Sequence, residues 1–99
     1  MPDGFLNGGD FMKKQTVTVS INEDMDTRPI AMLVQVASQY DSSVYIEYDS
    51  KHVNAKSIMG MMTLALKNGD DVDVVTDGDD EDAASEEMVK YLRGEAIAV

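Results

Sequence analysis

Polar and apolar residues alternate along Thr16-Val17-Thr18-Val19-Ser20-Ile21, which predicts a half-buried strand with Val17, Val19 and Ile21 inward. Asn22-Glu23-Asp24-Met25 breaks the alternation. Over residues 28–40 the period lengthens to that of a helix, with Ile30, Leu33, Val34 and Ala37 on one stripe. Pro29 fits only a first turn, which sets the start of that helix near Asp26 or Thr27. Asp41-Ser42-Ser43 is a turn, and Val44-Tyr45-Ile46-Glu47-Tyr48 alternates again as a second strand. Asp49-Ser50 reads as a tight turn, so Lys51-His52-Val53-Asn54 is its hairpin partner. A short helix opens at Ser57 and is predicted to run to the Asn68-Gly69 stop. Residues 72–76 form a fourth strand, and Asp77-Gly78-Asp79 turns the chain into a last helix over about residues 80–93. There Ala84, Met88, Tyr91 and Leu92 share a face.

The order is β-α-β-β-α-β-α, an α+β fold in which an open sheet of four strands is covered on one face by three helices. Ninety-nine residues support a single core. Residues 1–11 carry three glycines and no periodicity, and read as a flexible extension, native or added, ahead of a domain over 12–99.

The second helix has one more property. Met61, Leu64 and Ala65 make the expected core stripe, while Ile58, Met59 and Met62 form a second apolar face rotated away from it. A small protein cannot bury both, so the second face is a docking surface, for which the flexible methionine side chain is well suited. Ser57 suits the N-cap position, where its oxygen accepts a free backbone N–H. The unpaired N–H groups and the positive end of the helix dipole would also tolerate a phosphate on that hydroxyl.

Composition narrows the chemistry. The formal charge is −11, and residues 70–87 hold ten carboxylates and no basic side chain. Such a surface repels nucleic-acid phosphates, excludes direct nucleic-acid binding, and acts as a solvated face or a steering surface toward basic proteins. Cysteine is absent, which removes disulfides and thiolate chemistry. No apolar run is long enough to cross a membrane and no signal-peptide pattern opens the chain, so the expected compartment is the cytoplasm. An EF-hand register starting at Asp73 puts Val75 and Ala84 where oxygen ligands are needed, so that motif fails. With no nucleophile–base pair, glycine-rich phosphate loop or histidine cluster, no catalytic residue, metal or cofactor is assigned.

Lys56-Ser57-Ile58-Met59-Gly60 resembles the regulatory serine motif of the HPr family, the histidine-containing phosphocarriers of the bacterial phosphotransferase system. The resemblance runs from Met12 to the C-terminus. It includes Arg28-Pro29, Leu33-Val34-Gln35, Val53-Asn54 and Asp77-Gly78. It implies the HPr-like open-faced β-sandwich. The family's phosphohistidine stands in a His-Ala-Arg-Pro sequence, whereas this chain has Asp26-Thr27-Arg28-Pro29. The lone His52 lies on the hairpin and reads as a surface residue rather than a substitute acceptor.

A lost histidine with a retained serine is the pattern of the catabolite-repression HPr-like (Crh) branch, although glutamine is usual there and aspartate stands here. That branch implies phosphorylation of Ser57 by HPr kinase/phosphorylase. The product then acts as a corepressor for a LacI-type catabolite control protein A, as a monomer or weak homodimer. Arg28, Lys56, Ile58, Met59 and Met62 are the implied partner contacts. For Asp26 three readings stand: a helix N-cap, a fixed charge imitating phosphohistidine, or a block to repressor docking. The competing functions are an interaction module whose serine is never modified, and a phosphocarrier using Asp26 as an acyl-phosphate acceptor.

Overall fold

A computed structural model describes residues 12–21 and 27–95; residues 1–11, 22–26 and 96–99 lie outside it. The elements run β1 (Lys13–Thr18), α1 (Thr27–Ser38), β2 (Ser43–Tyr48), β3 (Lys51–Asn54), α2 (Ile58–Met62), β4 (Asp71–Asp77) and α3 (Glu81–Leu92). The strands form one antiparallel sheet in the order β1-β4-β2-β3. Strand alternation decides its two faces. Val17, Val44, Ile46, Val72 and Val74 point into a single core that also holds Ile30, Leu33, Val36, Ala37, Met61, Met88 and Leu92. This is the open-faced α+β arrangement expected from the order of elements.

The other face of the sheet is polar. Lys14 reaches Glu47 at 3.1 Å and Asp73 at 3.7 Å. The His52 ring stacks on Tyr45 with centroids 4.6 Å apart, and its Nδ1 donates to Glu47 at 2.9 Å. The His52 and Lys14 hydrogen bonds hold the Glu47 carboxyl below its ordinary pKa. Val75 lies opposite both Lys14 and Tyr45 in register and is buried on this face. His52 is therefore a surface residue of the sheet, engaged with Tyr45 and Glu47.

Three elements differ from the pattern-based expectation. The ladder of β1 starts earlier and stops at Thr18, because its partner β4 begins at Asp71. Beyond it the backbone of Val19 and Ser20 is satisfied by loop and helix: Val19 N–H donates to Asp70 and Ser20 N–H to Leu92. Helix α1 also buries Val36, while Val34 packs at the margin. The largest correction is α2, which ends at Met62 instead of continuing to Asn68. Thr63 closes it with N–H and hydroxyl bonds to the Gly60 carbonyl, and Ala65 then takes φ 51°, a left-handed conformation no helix continues through. Leu64 stays buried, but Ala65 faces solvent and Leu66 takes its place in the core.

Asp80, just before α3, caps no N–H of its own helix. Its carboxylate instead accepts from the Asp41 N–H at 3.0 Å, the Ser42 N–H at 2.9 Å and the Ser42 hydroxyl. These bonds tie the turn after α1 to the turn before α3. The two turns meet so closely at Gly78, φ 153°, that a Cβ there would lie 2.7 Å from Ser42 Cα. Only glycine fits.

The Ser42 hydroxyl and the two backbone donors hold the Asp80 carboxyl below its ordinary pKa. A depressed folded-state pKa contributes stability above the ordinary carboxyl value, lost as pH falls through the depressed one. Asp80→Asn is expected to melt lower than wild type at pH 7. The gap should close as pH is taken below about 4. Paired thermal melts from pH 7 down to the acid limit of folding check this, and a gap independent of pH would refute it.

Candidate functional site

The Ser57 loop is built by local backbone chemistry. The Asn54 side chain accepts the Lys56 N–H at 2.8 Å, and its carbonyl accepts the Ser57 N–H at 3.0 Å, a compact bend at the end of β3. Ala55, fully buried, donates its N–H to the Val44 carbonyl and anchors the bend to β2. Ser57 is extended, φ −111° and ψ 114°, and its Oγ accepts the Gly60 N–H at 3.1 Å. It is the N-cap of α2, and half-buried.

Lys56 points back into the protein. Its Nζ donates to the Tyr40 carbonyl at 2.7 Å, closing the chain just past α1. A cation at that end is also favoured by the helix dipole. Lys51 does the same for α2, with its Nζ 3.2 Å from the Thr63 carbonyl. Neither contact carries a sequence signal, since the partners are 16 and 12 residues apart.

Of the five residues of α2, Met61 is buried. Ile58 is 45% exposed, Met59 79% and Met62 48%. Together with Met12 they are the exposed large apolar side chains among the described residues. Ile58 and Met62, one turn apart, flank the same side of the helix, and Ser57 leads directly into it.

Helix α1 packs on α2. Arg28 is exposed in the first turn of α1, and Pro29 beside it is buried at a position where its missing N–H costs no helical bond. Asp26 lies outside the described residues. The structure thus brings Ser57, Ile58, Met59 and Met62 into one surface, and turns the Lys56 ammonium inward.

A groove between β1 and α3 is lined by Lys13, Gln15, Asp82, Glu86, Lys90 and Arg93. It lies on the α3 side of β1 and includes no residue of the Ser57 loop. Lys13 pairs with Asp82 in it at 3.1 Å. Among the described residues, no three His, Asp or Glu side chains are placed to hold a metal ion. No described helix is long and apolar enough to cross a membrane.

The fold is shared with known proteins. Residues 13–93 match the family described as "PTS HPr component phosphorylation site". The HPr-like protein Crh of Bacillus subtilis (strain 168) is 42% identical over 84 residues, covering 85% of this chain and 99% of that one. Among solved structures, the phosphocarrier protein HPr from Bacillus anthracis str. Ames superposes with a TM-score of 0.78 at 40% identity, over 82% of this chain and 96% of that one. Selenomethionyl Crh of Bacillus subtilis, described as a dimer with an unexpected swapped domain, gives 0.70 at 33% identity, over 99% of this chain and 100% of that one. The chain belongs to the HPr family, with Crh proteins among its relatives.

Proposed function

We propose that this protein is a regulatory member of the HPr family whose switch is Ser57. HPr kinase/phosphorylase adds a phosphate there, and the modified protein acts as corepressor of a LacI-type catabolite control protein. Sugar-transport phosphorelay is not its task, because Asp26 stands where the family carries its phosphohistidine. The working unit is residues 12–99, in the cytoplasm, as a monomer or a homodimer like those described for Crh of Bacillus subtilis.

The observation that carries this reading is the exposure of Ile58, Met59 and Met62 immediately after a capped, half-buried serine. Three large apolar side chains on a five-residue helix are an unfavourable way to meet water and a favourable way to meet a protein. Phosphate adds about −1.5 to −2 charge and three acceptor oxygens at the edge of that surface, which suits an arginine- or lysine-bearing partner. Arg28 lies on the helix that packs against α2 and is assigned to the same interface.

The double substitution Met59→Asp, Met62→Asp tests the docking role. Both positions are exposed, so stability is expected to stay within about 0.5 kcal/mol of wild type. Kinase-dependent labelling and capture by the repressor are expected to fall to background. Equal capture of wild type and Ser57→Ala would instead support an interaction module that never uses phosphate, and undiminished capture of the double variant would refute docking through Met59 and Met62.

A further inference from the structure

Gly60 is the third residue of α2 and the donor to the Ser57 oxygen. Its backbone does not require glycine. Gly69, Gly78 and Gly94 have positive φ, and Gly60 does not. A Cβ built at Gly60 would meet Ser57 Oγ at 3.5 Å, Ser57 Cβ at 3.6 Å and Val53 Cβ at 3.6 Å, all ordinary contact distances. Alanine therefore fits, and it is the better helix former. Glycine stands at a position where the fold gains nothing from it. Such a local concession is a recurrent mark of a functional position.

What the missing methyl leaves open is the flank of one hydroxyl. We propose that Gly60 determines access to Ser57, keeping clear the space that an incoming phosphoryl group sweeps. This rests on the reading of Ser57 as the phosphoacceptor. In the transfer, Ser57 Oγ forms a bond to the γ-phosphorus of ATP as the bond from that phosphorus to the β,γ-bridging oxygen breaks. ADP leaves, and the hydroxyl proton passes to a base of the kinase. The three peripheral phosphoryl oxygens must be accommodated around Oγ while attacking and leaving oxygens stay roughly in line. A methyl in van der Waals contact with Oγ takes part of that space and turns the approach off line.

The test is Gly60→Ala beside wild type, with two readouts: the melting temperature, and the rate of phosphate addition by HPr kinase/phosphorylase with ATP. The melting temperature is expected to hold or rise. The kcat/KM for phosphorylation is expected to drop roughly tenfold or more, since misplacement by about 1 Å can cost up to a hundredfold. Wild-type labelling with an equal rate for Gly60→Ala would overturn the role of Gly60 and leave Ser57 as the acceptor. A lowered melting temperature would overturn it too, because the glycine would then serve the fold. Failure of the wild type to take phosphate would remove both the role of Gly60 and the reading of Ser57.

Discussion

Met61→Ala is expected to destabilise the protein by about 2–5 kcal/mol, the range for emptying a buried methionine site. Met61 has no exposed surface and is the buried residue of α2. An isolated helix shorter than about 12–15 residues is marginal in water, so a five-residue helix persists only through what it packs against. Loss of the Met61 side chain removes that anchor. For a domain of this size the midpoint should fall by roughly 10 °C or more. Amides of residues 57–64 should lose hydrogen-exchange protection before those of β4. Met59→Ala, on the exposed side of the same helix, is the control and is expected to shift stability by no more than about 0.5 kcal/mol. Equal effects of the two substitutions would mean that α2 is not held by Met61.

Ser57→Ala has the largest expected functional effect: complete loss of phosphate uptake from HPr kinase/phosphorylase. It also removes the oxygen that accepts the Gly60 N–H, which should cost about 1 kcal/mol, the usual value of an N-cap. That loss leaves most of the stability of an ordinary domain in place. Ser57→Asp separates the two roles, because aspartate restores a cap but offers no hydroxyl. Its melting temperature should return toward wild type while uptake stays at zero. Stoichiometric labelling of either variant would place the phosphoacceptor elsewhere.

Much of this site is legible in the amino-acid sequence. Ser57 reads as a cap because a small hydroxyl residue precedes an apolar run, and Asn54 two residues before Lys56 is a usual bend former. The surplus of apolar side chains on so short a segment points to an exposed face, and Ile58, Met59 and Met62 are exposed. The length of α2 is not legible. The stripe of Met61 and Leu64 continues at helical spacing, and the stop comes from Ala65 in the left-handed region, where alanine gives no warning. The Asp80 carboxylate binds Asp41 and Ser42, about 40 residues earlier in the chain, which no local pattern signals. Lys56, an implied partner contact in the sequence, has its ammonium engaged by the Tyr40 carbonyl. Contacts of this kind depend on which elements become neighbours, and periodicity describes each element alone.

Intact mass after two parallel incubations shows directly where phosphate goes. One incubation holds HPr kinase/phosphorylase with ATP, the other enzyme I of the phosphotransferase system with phosphoenolpyruvate. The expected result is one phosphate from the kinase, mapped to Ser57, and none from enzyme I. Phosphate accepted from enzyme I, at Asp26 or His52, would contradict the account by showing a working phosphocarrier.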